Sequence, residues 1–138
     1  MKIYFSHPTF TYHTKTEKRC IRLIETKFEK LTKIINPASF GALKDSKSQI
    51  KESDIIIGLA INNKYTFLVW KEIEYGQKNN NKIYSINATN KNQITDIKKG
   101  LLDEHEKLDR DKSQKFKKNI QAKDNSIKSM LLGERNKF

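Results

Sequence analysis

The chain has 138 residues, enough for one domain with one hydrophobic core. It contains no run of 18 apolar residues, and its N-terminus turns polar at Ser6, so neither a membrane span nor a secretory signal peptide is expected. The single cysteine, Cys20, excludes an internal disulfide and fits a reducing compartment. We therefore expect a cytoplasmic protein with no membrane contact.

The charge is strongly basic, with 28 Lys and Arg against 16 Asp and Glu and a net charge of +12. It is spread along the chain: residues 1–86 carry 15 basic and 8 acidic side chains, and residues 87–138 carry 13 and 8. Only four of the basic residues are arginine, the type best suited to bidentate contacts with bases and phosphates. The pattern favours a lysine-rich surface that attracts anionic small ligands, and it leaves nucleic-acid binding as an alternative.

Four short runs rich in β-branched and aromatic residues predict β-strands, and each ends near Pro, Asn or Gly. They are Lys2–His7, Lys33–Pro37, Asp54–Ile61 and Lys82–Asn87. The third run is continuously apolar, as is typical of a parallel strand covered on both faces.

Amphipathic patterns between these runs predict helices over 15–33, 45–53 and 66–79, the second capped by Asp45 or Ser46. The order β-α-β-α-β-α-β predicts an α/β fold with a doubly wound, flavodoxin-like parallel sheet flanked by helices. We expect four strands in the order 2-1-3-4, within a core domain of residues 1–87.

Residues 88–138 predict a helical, lysine-rich C-terminal extension. Apolar side chains and one histidine recur at helical spacing, which predicts a helix over 93–109 and no fifth strand. One or two further weak helices are expected beyond it. The residues that carry these two predictions are Ile94, Ile97, Leu101, His105 and Leu108, and then Phe116, Ile120, Ile127 and Met130–Leu132.

In open α/β sheets, ligands bind outside the carboxyl ends of the strands, near the point where the strand order reverses. With the order 2-1-3-4 that point lies between the first and third strands. The small polar and aromatic residues that leave the strand ends suit a polar, ring-bearing ligand. We predict substrate binding by Ser6, His7, Pro8, Tyr12, Asn36, Pro37, Asn62 and Tyr65.

Several familiar motifs are missing. There is no G-x-G-x-x-G, no Walker-type P-loop and no G-x-S-x-G, which argues against a dinucleotide dehydrogenase, a P-loop NTPase and an α/β-hydrolase. The histidines His7, His13 and His105 are not spaced as a metal site, and no metal is expected. Cys20 lies on or near the apolar face of the first helix and is expected to be a packing residue.

Glu72 is the candidate catalytic residue. It lies in an otherwise apolar stretch of the third helix, near Val69, Trp70 and Ile73. A partly desolvated carboxylate there can act as a nucleophile or as an acid and base. The alternative is a solvated helix residue, since Lys71 and Glu74 flank it.

Four segments in order resemble the nucleoside 2-deoxyribosyltransferase-like family, which includes 2′-deoxynucleoside 5′-phosphate N-hydrolases. Ile3–Pro8 resembles the family's I-Y-x-A-G-P, Ile35–Pro37 its V-x-x-P, and Glu52–Gly58 its x-A-D-x-V-V-A strand. Trp70–Gly76 followed by Lys82–Tyr84 resembles its glutamate-bearing helix and the K-P-V-Y strand. The resemblance covers residues 2–86 and is carried by the order and spacing of the four pieces.

The resemblance implies that Glu72 is a nucleophile that attacks the anomeric carbon of a sugar, and that an N-glycosidic bond is cleaved or exchanged without a cofactor. It also implies a nucleoside or nucleotide as substrate and leaves a homo-oligomer open. Three features depart from the family pattern. The loop after the third strand, Asn62–Phe67, carries no carboxylate and no glycine. Glu74 stands where the family has a glycine two positions after its glutamate, and His7 stands where it has a glycine after the first strand.

Two other classes of function stay open. One is a non-catalytic sensor of a nucleotide or an NAD-derived signal, of the Toll/interleukin-receptor-like type, whose fold is related. The other is a basic module that binds nucleic acid or an acidic protein through its lysine-rich tail. Base release that depends on Glu72 distinguishes the enzyme from both, and steep salt dependence marks the basic module.

Overall fold

The computed structural model describes residues 1–28, 32–39, 45–89 and 93–122, without the side chains of 121 and 122. Eight strands form a curled, mostly parallel sheet with helices packed against it. The strands are β1 (Lys2–Ser6), β2 (Lys33–Ile35), β3 (Ile55–Ile61), β4 (Lys64–Tyr65), β5 (Lys82–Thr89), β6 (Gln93–Ile94), β7 (Lys98–Lys99) and β8 (Glu106–Lys107). The helices are α1 (Lys15–Lys27), α2 (Ser46–Lys51), α3 (Phe67–Lys78) and α4 (Arg110–Ala122), with short 3-10 turns at Thr9–Thr11 and Pro37–Ser39.

The centre of the sheet is parallel. β1 pairs with β2 and with β3, and β3 pairs with β5 over its whole length, from Ile55 beside Lys82 to Ile61 beside Ala88. All seven residues of β3 are buried, as the continuous apolar run predicts. Alternate residues point to opposite faces of a strand, so β3 contributes to two apolar layers.

One layer lies under α1 and the other under α2 and α3. Ile57 and Phe5 pack with Cys20 and Ile24 of α1, and Cys20 is a fully buried packing residue, as expected. On the opposite face, Ile56 packs with Ile50 of α2 and with Val69 and Ile73 of α3. Helices on both faces confirm the mixed α/β class.

The predicted helices within residues 1–87 form with shorter bounds. α1 ends at Lys27 because Phe28 takes an extended backbone conformation, and residues 29–31 lie outside the described part of the chain. α2 begins after Asp45, whose Oδ1 accepts a hydrogen bond from the Lys47 amide at 3.1 Å, so the predicted cap is present.

The helix predicted over 93–109 is wrong. This segment instead forms three two-residue strands: β6 and β7 pair antiparallel with β5, and β8 pairs with β4. The outer edge of β5 has backbone groups that need partners, and Gly100, at φ 83°, turns the chain back along it. The expectation of four strands and no fifth is therefore corrected to eight.

The apolar spacing in this segment has another cause than a helix. Ile97 and Leu108 are buried, and Ile94 and Leu101 pack against the two layers. The four apolar residues of this segment are therefore buried or partly buried, but they lie in turns and short edge strands and not in a helix. His105, the remaining member of that pattern, is exposed.

The C-terminal extension is helical only from Arg110 onward within the described residues. α4 contributes the buried Ile120 to the layer under α1, and Phe116 packs edge-on against Phe10 with ring centres 6.4 Å apart. Ile127 and Met130–Leu132, which predicted a further helix, lie outside the described residues. In the part of the chain that the structure covers, no helix has the length and apolarity needed to cross a membrane.

Candidate active site

Glu72 lies on the buried face of α3. The buried residues of this helix are Val69, Glu72, Ile73 and Gly76, at the three- and four-residue spacing of one helix face. Glu72 is only 8% exposed, so the interpretation as a solvated surface residue is wrong. The helix places a carboxylate where the pattern otherwise places apolar side chains.

β1 supplies the partners of that carboxylate. Tyr4 and Ser6 are two residues apart and therefore lie on the same face of the strand, toward α3. The Tyr4 hydroxyl donates to Glu72 Oε2 at 2.8 Å, and the Ser6 hydroxyl donates to Glu72 Oε1 at 2.7 Å. Each carboxylate oxygen thus accepts a hydrogen bond from a different residue of β1.

Burial disfavours the charged form of Glu72, whereas its hydrogen bonds favour that form. Burial raises the pKa of Glu72 above its ordinary value, while hydrogen bonds from Ser6, Tyr4 and Ser46 and the charge of His7 act in the opposite direction. Burial beside this carboxylate also raises the pKa of Tyr4, so its phenol stays a hydrogen-bond donor. The result is a desolvated carboxylate held in one orientation by neutral donors.

A second buried acid pairs with the histidine that follows β1. His7 Nε2 lies 2.8 Å from Glu17 Oε2, and His7 Nδ1 donates to the Phe5 carbonyl at 3.0 Å. Glu17 comes from the first turn of α1, whose cap Thr14 accepts the Glu17 amide. The His7 ring stacks on Phe5 with centres 4.1 Å apart and an interplanar angle of 9°.

The pairing requires a proton between His7 and Glu17. A carbonyl only accepts, so Nδ1 carries a hydrogen, and the contact between Nε2 and the carboxylate needs one more. Burial alone raises the pKa of Glu17, but the hydrogen bond and charge of His7 outweigh it and lower the pKa below its usual value. His7 and Glu17 therefore form a buried hydrogen bond with one proton between Nε2 and the carboxylate, and the two residues are 1% and 6% exposed.

Tyr12 lies near both acids, Glu72 and Glu17. Its ring centre lies 4.8 Å from that of His7. Burial, followed by the negative charges of Glu72 and Glu17, raises the pKa of Tyr12 to about 12. Ser6, His7 and Tyr12 of the predicted binding set are thus brought together around Glu72.

The other predicted binding residues have local structural partners. The Pro8 carbonyl accepts from the Thr11 amide and hydroxyl, which closes the turn after β1. Asn36 Oδ1 accepts the Ala38 amide at 3.0 Å in the turn that includes Pro37. These contacts hold the exits of β1 and β2 in place.

The residues after β3 take part in a tight turn. Asn62 and Asn63 have positive φ values of 50° and 62°, and the chain returns as the antiparallel strand β4. Tyr65 is fully buried, and its hydroxyl lies 2.7 Å from Ser85 Oγ and accepts the Leu102 amide at 2.9 Å. Tyr65 therefore anchors residues that follow β5, and burial raises its pKa.

The predicted set lacks Tyr4, Glu17 and Ser46. The alternation of β1 places Tyr4 on the same face as Ser6, and this pattern is visible in the sequence. Glu17 and Ser46 belong to other elements, and no local pattern connects them to Glu72.

A cleft of about 240 Å³ opens at the N-terminus of α3, and neither Glu72 nor the residues that donate to it line this cleft. It lies between the turn after β1, the start of α3 and one side of α4. Its lining is Pro8, Thr9, Phe10, Thr66, Phe67, Leu68, Arg110, Ser113, Gln114 and Lys117. Thr66 precedes Glu72 by six residues, or about 9 Å along a helix.

Among the residues that the structure describes, no group of three or more His, Cys, Asp and Glu side chains is placed to hold a metal ion. Cys20 is remote from such chemistry, since burial raises the pKa of its thiol to about 12.

Comparison with protein-family models, with curated proteins and with solved structures found no significant match to this chain. The assignment below therefore depends on the geometry of the residues around Glu72 and on the resemblance carried by residues 2–86.

Proposed function

We propose that this protein binds a nucleoside or nucleotide and cleaves or exchanges its N-glycosidic bond, with Glu72 as nucleophile. The observation that carries the proposal is the buried Glu72 carboxylate, with Tyr4 and Ser6 each donating to a different oxygen. The parallel pairing of β2, β1, β3 and β5 supports a flavodoxin-like order for the predicted strands, with this carboxylate near the crevice at their ends.

The chemistry follows from the carboxylate's setting. A Glu72 oxygen forms a bond to the anomeric carbon as the bond from that carbon to the base nitrogen breaks. The base keeps the electron pair and takes a proton from solvent, and the attacking water of the next step returns one to solvent. Water then attacks the same carbon, which gives the free sugar and restores the carboxylate; a second base in place of water gives exchange.

Tyr4 and Ser6 are expected to orient the attacking oxygen. A carboxylate that accepts fixed hydrogen bonds loses little conformational freedom when the sugar arrives, because its rotamer is already selected. The hydrogen-bonded pair of His7 and Glu17 adds a fixed dipole near Glu72.

Binding without turnover is the second candidate, and one observation favours it. The loop after β3 carries Asn62, Asn63 and Lys64 where the resembled family has a helper carboxylate. Asn63 is held by the Asn87 side chain and donates to the Glu104 carbonyl at 2.8 Å. A site of this kind suits a nucleotide or NAD-derived signal sensor.

The test is chromatographic detection of free base after incubation with nucleosides, nucleoside monophosphates and NAD. Base release should occur with the wild-type chain and be lost, by at least about a thousandfold, in Glu72→Gln. Glu74→Gln is the matched control, because it removes the same charge from a partly exposed position of the same helix. Release that survives in Glu72→Gln, or is absent throughout, contradicts the catalytic proposal; saturable binding without release supports the sensor.

A further inference from the structure

The N-terminus of α3 is incompletely capped. Thr66 holds the N-cap position, but its hydroxyl makes no capping hydrogen bond. Ser113 of α4 takes over part of that role, since its Oγ accepts the Phe67 amide at 2.8 Å. α4 is therefore docked directly on the positive end of the α3 dipole.

The Thr66 hydroxyl lacks a partner. Thr66 is 6% exposed, and its Oγ1 is the buried side-chain polar atom without a hydrogen bond among the residues the structure describes. Buried hydroxyls are almost always hydrogen-bonded, so an unpartnered one beside a cleft points to a ligand atom or water as its missing partner. Thr66 lines the cleft described above.

The cleft is cationic on the side formed by α4. Arg110 and Lys117 line it, and no carboxylate does. The Arg110 guanidinium lies 5.0 Å from the centre of the Phe67 ring, which holds it over the start of α3. Neither cation forms a salt bridge with a carboxylate of the described residues.

We propose that α4, although it belongs to the C-terminal extension, is part of the ligand site, where Arg110 and Lys117 bind a phosphate group against Thr66 and the N-terminus of α3. Backbone amides at a helix start, a free hydroxyl and two cations are the donors a phosphate dianion requires. This proposal rests on the proposed function for the identity of the group attached to the phosphate, a nucleoside. The separation of about 9 Å between Thr66 and Glu72 along α3 fits a nucleoside monophosphate, with its anomeric carbon at Glu72.

The first test measures binding alone. The full chain is titrated calorimetrically with inorganic phosphate, adenosine monophosphate and adenosine at constant ionic strength. We expect the monophosphate to bind at least about tenfold more tightly than the nucleoside, because each charge-assisted contact is worth roughly a factor of ten in affinity. Arg110→Gln and Lys117→Gln should each lower the affinity for both phosphate-bearing probes by about tenfold.

Matched control variants distinguish a specific phosphate site from general attraction by the positive charge of the protein. Lys112→Gln and Lys118→Gln remove the same charge from exposed positions of the same helix. Their affinities should stay within about twofold of the wild type. Equal losses in all four variants, or a monophosphate that binds no better than the nucleoside, overturn the proposal.

Thr66→Val tests the unpartnered hydroxyl. Without phosphate this variant should melt at the same or a higher temperature, since it removes a buried polar atom that has no partner. Its phosphate affinity should fall severalfold. Unchanged phosphate affinity in Thr66→Val excludes the hydroxyl from the site.

The outcome is independent of catalysis. Repeating the phosphate titration on Glu72→Gln gives a result whether or not the chain releases base. Phosphate binding without base release supports this inference and refutes the catalytic function. Base release that is equally efficient for adenosine and adenosine monophosphate, and unaffected by Arg110→Gln, refutes this inference and leaves the catalytic function standing.

Discussion

The Tyr4 hydroxyl donates to Glu72 Oε2 at 2.8 Å and so joins the first strand to the third helix. The two residues are 68 positions apart in sequence. Tyr4 is fully buried and Glu72 nearly so, which makes this hydrogen bond part of the packing between sheet and helix. The same contact fixes the carboxylate proposed to act on the substrate.

Tyr4→Phe tests this contact. The variant leaves Glu72 Oε2 without its donor, so we expect a loss of about 1–3 kcal/mol in the free energy of unfolding at pH 8. In a Glu72→Gln background the same substitution should cost less, since no charge is left to stabilise. Urea denaturation of the four chains measures the coupling, and an additive result contradicts the assigned contact.

Glu72→Gln should change how stability depends on pH. Because the pKa of Glu72 is raised in the folded state, the wild type is relatively most stable below about pH 4.5, where the carboxyl is protonated both folded and unfolded. Its stability falls as the pH rises through the folded-state pKa.

The glutamine variant lacks this loss, so its melting temperature relative to wild type should rise between pH 4 and pH 8. The size of the loss increases with the difference between the folded and unfolded pKa values of Glu72. Glu74→Gln is the control for removing a charge from α3. A Glu72→Gln chain whose relative stability is flat across this range excludes a desolvated carboxylate.

The pair His7 and Glu17 makes the opposite prediction. Because the pKa of Glu17 is lowered in the folded state, its stabilising effect is present above about pH 4.5 and is lost as the pH falls through the folded-state pKa. Glu17→Gln removes the carboxylate that is hydrogen-bonded to the buried His7 and should cost about 1–3 kcal/mol at pH 7. Chemical denaturation at pH 7 and pH 3 checks this, with Glu25→Gln on the exposed face of α1 as control.

Gly76→Ala should destabilise the contact between α3 and the sheet. A Cβ at this position would clash with Ile56 Cδ1, and Ile56 is fully buried. We expect a cost of about 1–3 kcal/mol from overpacking. Adding Ile56→Val removes the clashing methyl, so thermal denaturation of the double variant should recover part of the loss; a double variant that is the sum of its parts argues against the contact.

Cys20 should be inert in the folded chain. Burial raises the pKa of its thiol to about 12, so very little thiolate forms at pH 8. A thiol reagent should therefore modify the protein only in denaturant. Rapid modification under native conditions, followed by mass spectrometry, is the result that contradicts a packing role.

Local patterns account for much of the fold and for the central residue of the site. The apolar run Asp54–Ile61 predicted a strand covered on both faces, and β3 is buried throughout. The apolar stretch around Glu72 indicated a partly desolvated carboxylate, with a solvated residue as the alternative, and Glu72 is buried on one face of α3 with Val69 and Ile73. In both cases the pattern of apolar residues within a single element indicates which side chains are buried.

The segment 93–109 shows where such patterns fail. Its apolar spacing fits a helix, but its backbone instead pairs with the open edge of β5 and forms the strands β6 and β7. That pairing depends on the unpaired edge of β5, which lies outside the segment, so the sequence of residues 93–109 alone does not predict it.

By itself, the sequence determined the alternation of strands and helices in residues 1–87, the buried centre of the sheet, and a carboxylate within an otherwise apolar stretch of helix. Only the tertiary structure decided that Tyr4 and Ser6 meet Glu72, that His7 pairs with Glu17, and that α4 lies over the start of α3. The physical reason is the separation in sequence between the residues that interact. Periodicity selects the face of each element, whereas a hydrogen bond across 66 or 68 positions exists only once strand pairing and helix packing have set the distance between elements.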